Sequence, residues 1–153
     1  KTKTIMATTT AAITLTSSDL LTNALALSAS MTLYQHNTTA TGLDEVTYSR
    51  HNIPTGTNFD LIPESAALTE DASYVYISNK TPITDVTYYV IISINAEVIG
   101  RLYAGDWMFI PWDCDLSAAA NDSSIEVQAY TGENIVEYAL FHNGETLLTA
   151  ADS

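Results

Sequence analysis

Both tryptophans of the chain, and one of its two arginines, fall in a single stretch, RLYAGDWMFIPWD, residues 101 to 113. Arg101 precedes and Asp106 follows the Ala104-Gly105 turn, within reach of a bidentate guanidinium–carboxylate pair across a hairpin. Such a pair braces a turn in which Gly105 supplies the backbone freedom. Hydrolysis by Asp106 would need a second carboxylate placed by the fold, and the 18 acids are too scattered to nominate one. Trp107 and Trp112 offer planes on which a sugar could stack, but the planar polar partners that accompany stacking are missing from the sequence nearby. Asp113, Asp115 and Asp122 could give oxygens to a hard cation; without a calcium-loop signature they read as solvated loop acids. His36, His51 and His142 share no zinc spacing, and Cys114 has no CxxC partner. Nucleophile elbow, phosphate-cradling loop and dinucleotide fingerprint are all absent. The expectation is a protein that is not an enzyme and needs no metal or cofactor.

The elements that position these residues read as strands. In AAITLT, Ile13 and Leu15 alternate with Thr14 and Thr16. In LALSASMTLY, Leu25, Leu27, Ala29, Met31 and Leu33 share one face against Ser28, Ser30 and Thr32, the clearest period-two pattern of the chain. Between them SSDLLTNAL allows at most one short helix near residues 18 to 24, capped by Ser17 or Ser18. The segment from Gln35 to Glu70 is loop-rich, with weak strands at EVTYSR and FDLI. SYVYIS, VTYYVIISI, EVIGRLY, WMFIPW, SIEVQAY and IVEYALFH follow. Asn95-Ala96 is expected to turn the hairpin of residues 86 to 103, and Asn143-Gly144 to return into ETLLTA. Many short strands without a repeat predict an all-β fold. An antiparallel β-sandwich, jelly-roll or Ig-like, is favoured over a closed barrel. Residues 1–10 read as a flexible Thr-rich arm before a single domain of residues 11–153. Met6-Ala7 looks like a translation start, with Lys1 to Ile5 an upstream remnant.

The chain has 153 residues and a formal charge of −13, from 5 basic and 18 acidic side chains. That surplus repels phosphate backbones and anionic lipid, so neither nucleic acid nor membrane is expected as a partner. One cysteine excludes an intrachain disulfide framework. Sequons at Asn37, Asn79 and Asn121 arise readily by chance in a chain so rich in Ser and Thr. Nine tyrosines are in excess over three phenylalanines. Tyr48, Tyr74, Tyr76, Tyr88, Tyr89 and Tyr103 fall in expected strands, where a ring can be covered while its hydroxyl stays wet.

Strand parity sends Trp107 and Phe109 one way and Met108, Ile110 and Trp112 the other, so WMFIPW is apolar on both faces. One face enters the core. The other needs a cover: a second layer of the same domain, a long loop, another subunit, or a sugar. The interface candidates are Ile5, Met6, Tyr103, Trp107, Phe109 and Trp112. The expected assembly is a homo-oligomer, a trimer by preference. Lys1 and Lys3 put two of the five basic groups on the arm, which would let it lie along an acidic neighbouring copy.

Two stretches, SSDLLTNALALSASMTLYQHNTTATGLDEVTYSR and INAEVIGRLYAGDWMFIPW, resemble the small virion structural proteins of tailed bacteriophages, particularly those of marine cyanobacterial phages. The run Gly-Arg-Leu-Tyr-Ala-Gly-Asp-Trp is the most specific part. The residues before Met6 depart from that pattern. The resemblance implies a repeated building block of the virion, most simply a decoration protein that cements the capsid shell. Its partners would then be itself and a major capsid or other virion protein. The alternatives are a tail, neck or fibre component, and, apart from the resemblance, a secreted carbohydrate-binding module. No catalytic residue is carried over.

Overall fold

Alternating β-branched and aromatic segments commit most of the described residues of this chain to paired strands. The computed structural model describes residues 8–19, 24–34, 42–43, 45–63, 73–82, 87–112 and 124–142. Among them are ten strands and no helix; residues 20–23, the middle of the expected helical turn, lie outside the described residues. β1 (Thr10–Ser17) and β2 (Leu25–Thr32) pair only with each other, as an antiparallel ribbon. β3 (Glu45–Ile53), β10 (Asn134–His142), β5 (Ser73–Asn79) and β8 (Trp107–Trp112) form a first sheet in that order. β4 (Asn58–Ile62), β9 (Ile125–Ala129), β6 (Tyr89–Ile94) and β7 (Glu97–Tyr103) form the second.

All pairings within the two sheets are antiparallel. From β3 onward every connection crosses from one sheet to the other except the β6–β7 hairpin. An eight-stranded double sheet with these two orders is a jelly roll, and neither sheet closes into a barrel. The β6–β7 hairpin turns on Asn95 and Ala96, both at positive φ (54° and 58°), as a two-residue turn matched to strand twist demands. The segments at EVTYSR and FDLI, weak as sequence, are full strands here because β10 and β9 supply partners along their length.

The core lies between the sheets. Val75, Ile77, Met108, Ile110, Trp112, Val136, Tyr138 and Leu140 come from the first; Leu61, Val90, Ile92, Leu102, Ile125 and Val127 from the second. Period two then sends the neighbours of these residues to the outer faces. At one end a buried polar network ties the layers. Asn79, at the end of β5, donates through Nδ2 to the Leu102 carbonyl of the other sheet (2.9 Å) and to Asn134 Oδ1 (3.2 Å). Its Oδ1 accepts the Thr81 N–H at 3.0 Å. The Thr81 hydroxyl donates to Asn134 Oδ1 (3.2 Å) and accepts from the Ile135 N–H (2.9 Å). Asn134 Nδ2 closes the β9–β10 turn on the Thr131 and Gly132 carbonyls, each at 3.2 Å. The sequon at Asn79 is therefore an internal fastening, fully buried, and offers no amide to a glycan.

The ribbon stands apart from this core. Thr10, the last residue assigned to the expected arm, opens β1 opposite Thr32, and the Thr9 carbonyl accepts the Leu33 N–H at 2.8 Å. Ile5 and Met6 lie outside the described residues, as does the turn at Asn143-Gly144. Leu33 and Leu43 are buried at the ribbon's base, joined by the Leu43 N–H to the Leu33 carbonyl at 3.2 Å. The remainder of the apolar face is not buried. Ile13, Leu15, Leu27 and Met31 are 42, 51, 55 and 45 % exposed. The strongest alternation in the sequence thus marks a surface, not the centre of the domain.

Candidate functional site

The outer face of the first sheet is aromatic. Registers place Val46, Phe141, Tyr74 and Pro111 in one row and Tyr48, Ala139, Tyr76 and Phe109 in the next. A third row runs from Arg50 through Glu137 and Ser78 to Trp107. Antiparallel neighbours on one face lie close enough for large rings to touch along diagonals. Tyr74 stacks on Phe109 (centroids 5.7 Å, planes 5° apart), Tyr76 tilts against Trp107 at 6.1 Å, and Phe141 meets Phe109 edge-on at 6.4 Å. Among the described residues the charges on this face form one ion pair, Arg50 Nε to Glu137 Oε1 at 3.5 Å. Tyr48 also hydrogen-bonds Glu137, and this bond to a carboxylate raises its phenol above the ordinary tyrosine value.

The ribbon flanks this face. Between them is an open cleft of ≈ 770 Å³, with Ile13, Met31 and Leu33 on one wall and Trp107, Phe109 and Phe141 on the other. The outer face of the second sheet differs in kind: Asp60 lies opposite Glu126, and Gln128 beside Ile91. Among the described residues its aromatic cluster is closed upon itself. Tyr89 is covered by Tyr130 (4.8 Å, stacked), by Tyr103 (5.2 Å) and by the Arg101 guanidinium, 5.0 Å above its ring.

The expected contact residues therefore divide. Trp107, 52 % exposed, and Phe109 lie on the aromatic face as parity required. Tyr103 is exposed, but on the opposite sheet. Trp112, proposed with them, is 4 % exposed and belongs to the core, because it lies five positions after Trp107 and an odd step changes face. The expected Arg101–Asp106 pair does not form; Arg101 spends its charge over Tyr89. Asp106 does brace the turn, through the backbone: Oδ2 accepts the Tyr103 N–H at 2.9 Å, and the Asp106 N–H returns to the Tyr103 carbonyl at 2.8 Å. Gly105 has φ 91°, the conformation its absent side chain was expected to serve.

The two described histidines, His51 and His142, are packed among other side chains. His142 is fully buried with Nε2 3.0 Å from Thr47 Oγ1. Ser49 Oγ and His51 Nε2 are 2.9 Å apart, a distance suited to a nucleophile and its base. The imidazole, however, is stacked on Tyr138 and tilted against Phe59, where a catalytic histidine would be oriented by a carboxylate. His36, Asp113, Cys114, Asp115 and Asp122 lie outside the described residues. Among the described residues no group of three His, Cys, Asp or Glu side chains could hold a metal ion.

Sequence reasoning did not find the ribbon's role in the cleft, nor Phe141 as part of the aromatic face. The alternation of IVEYALFH contained the signal for Phe141, which shares a parity with Glu137. Compared with known proteins, the chain matches no family model and none of the curated proteins searched.

Proposed function

We propose that the chain is a non-enzymatic structural protein of a tailed-phage virion that decorates or cements the capsid shell through protein–protein contacts. The observation that carries this reading is the aromatic outer face of the first sheet with the exposed apolar ribbon beside it. Contiguous apolar area of this kind, rich in Trp, Tyr, Phe and Met and poor in charge, is what protein interfaces are made of. Isolated domains rarely expose so much of it without a use. The resemblance of GRLYAGDW and of the N-terminal stretch to virion proteins points to the partners: further copies of the chain, and the shell protein of a particle. A jelly roll serves in capsids and in lectins alike, so the fold agrees with the reading without choosing it. Burial of Trp112 removes one of the two planes on which a sugar platform was to rest.

The test is location. Purified particles should contain the protein at a high, fixed ratio to the shell protein, accessible to surface labelling. A few copies per particle would move it to the tail, neck or fibre. Absence from particles, together with a glycan pull-down abolished by Trp107→Ala, would replace the proposal with a carbohydrate-binding module.

A further inference from the structure

We infer that β3 pairs, antiparallel and across a twofold axis at Ser49, with β3 of a second copy of this chain. The two sheets have four edges, and three of them are blunted. β4 has five residues, and its register breaks between Asp60 and Ile62. β7 is bulged at Ile99, and at its far end the Asp106 carboxylate takes the Tyr103 N–H. β8 has six residues and carries Pro111, which has no N–H to offer. β3 differs from all three. Its nine residues run in unbroken register with β10, from Glu45 opposite His142 to Ile53 opposite Asn134, without proline, glycine or bulge. Arg50, its one basic group, is drawn onto Glu137 of β10 and does not guard the edge. Among the described residues no strand pairs with the other side of β3. Every second residue of β3 therefore turns its backbone N–H and C=O outward, as a template for another strand.

The strand's own sequence selects the occupant. A twofold at Ser49 sets all nine residues of EVTYSRHNI against the same residues in reverse. On the outer face Tyr48 of each copy then lies opposite Arg50 of the other, and Val46 opposite Asn52. On the inner face Thr47 lies opposite His51, and no like charges meet. Tyr48 is 62 % exposed and its hydroxyl is bonded to Glu137, so an Arg50 guanidinium from the second copy meets an electron-rich ring and, beyond it, a carboxylate. A slide by two residues one way would set Arg50 against Arg50; the other way would leave Asn52 and Ile53 without partners. Two copies at −13 each repel over most of their surfaces, but at this edge Arg50 and Glu137 neutralise each other. An axis normal to the sheet keeps both aromatic faces on one side and joins two four-stranded sheets into one of eight strands. The inference does not rest on the virion reading.

The test uses the full chain in sedimentation equilibrium, from about 1 to about 100 µM, the range in which modest interfaces appear. Wild type should be a dimer. Tyr48→Lys sets like charges opposite each other at two symmetric positions and should weaken the dimer by about tenfold or more. Val98→Lys, equally exposed but on the blunted β7 edge, should associate like wild type. Both should keep the wild-type circular dichroism, because the altered side chains are exposed in the single chain. Disulfide formation reads the register, in chains that also carry Cys114→Ser. Val46→Cys mixed with Asn52→Cys should give a cross-linked dimer on air oxidation. Neither should cross-link alone, since like positions then lie about 20 Å apart at ~3.4 Å per residue. A monomeric or trimeric wild type overturns the inference, as does a Tyr48→Lys variant that associates like wild type, a Val98→Lys variant that dissociates, or a mixture that does not cross-link. A monomer that still co-purifies with particles would leave the virion reading standing and remove this one. A dimer with the expected cross-link, absent from particles, would do the reverse.

Discussion

Replacing Asn79 by Ala removes the hub through which one end of the sandwich is fastened. In the folded protein its side chain is fully buried and makes three hydrogen bonds, to Leu102, Asn134 and Thr81. Alanine strips the side-chain partner from the Leu102 carbonyl on β7 and leaves the Thr81 N–H without its acceptor. Asn134 Oδ1 keeps the Thr81 hydroxyl. The Leu102 carbonyl keeps its place in the β6–β7 ladder opposite Val90, so its lost bond costs about 1 kcal/mol, and the buried Thr81 N–H left unsatisfied costs about 1–3, a central expectation of about 3 kcal/mol. The backbone bonds around Asn79 remain, including Gly105 N–H to its carbonyl at 2.9 Å, so the fold should survive while losing much of its margin. Urea unfolding followed by tryptophan fluorescence measures this directly. With a slope of about 2 kcal/mol per molar, the midpoint should fall by about 1.5 M at unchanged slope. A double-mutant cycle with Asn134→Ala should show coupling well above 0.5 kcal/mol, as residues of one network do. Ser28→Ala, on the ribbon's exposed polar face, should change stability by less than about 0.5 kcal/mol. A loss below about 1 kcal/mol for Asn79→Ala would refute the assignment of this network as the cross-link between the sheets.

The two tryptophans should respond differently: Trp112→Ala is expected to cost about 3–5 kcal/mol by the same assay, and Trp107→Ala less than about 1 kcal/mol. Gly132→Ala should cost at least about 1 kcal/mol, because φ is +64° and the new Cβ would run into the Tyr88 ring; thermal melting checks it. Asp106→Ala should cost about 1 kcal/mol through the lost bond to the Tyr103 N–H, whereas Arg101→Ala should leave that turn intact, a contrast readable in the melting temperatures. Burial raises the Tyr138 phenol above its ordinary value of 10.0, so the folded state holds that proton more tightly than the unfolded state. The resulting stability is full below pH 10 and is lost as pH rises through the folded value. Tyr138→Phe should therefore flatten the alkaline fall of the urea midpoint.

Period two is a local property, and it was legible. It set Trp107 and Phe109 apart from Met108, Ile110 and Trp112, and residue type located a two-residue turn at Asn95-Ala96 before any tertiary contact was known. The all-β class followed from the same alternation, and the acidic surplus from composition alone. What alternation does not contain is which of its two faces meets another layer, because that is decided by strands distant in sequence. Leu25 to Met31 carries the cleanest pattern of the chain, yet β2 finds only β1, and its apolar side stays open over a cleft. IVEYALFH carries the same pattern, and β10, held between β3 and β5, has one face in the core. Polar contacts obeyed the same division. Asn79, Thr81 and Asn134 are unremarkable as sequence and become a network only when the ends of β5, β7 and β10 converge. Arg101 and Asp106, close in sequence and opposite in charge, were parted by the fold, because a tyrosine ring on β6 and a backbone N–H on β7 lay nearer.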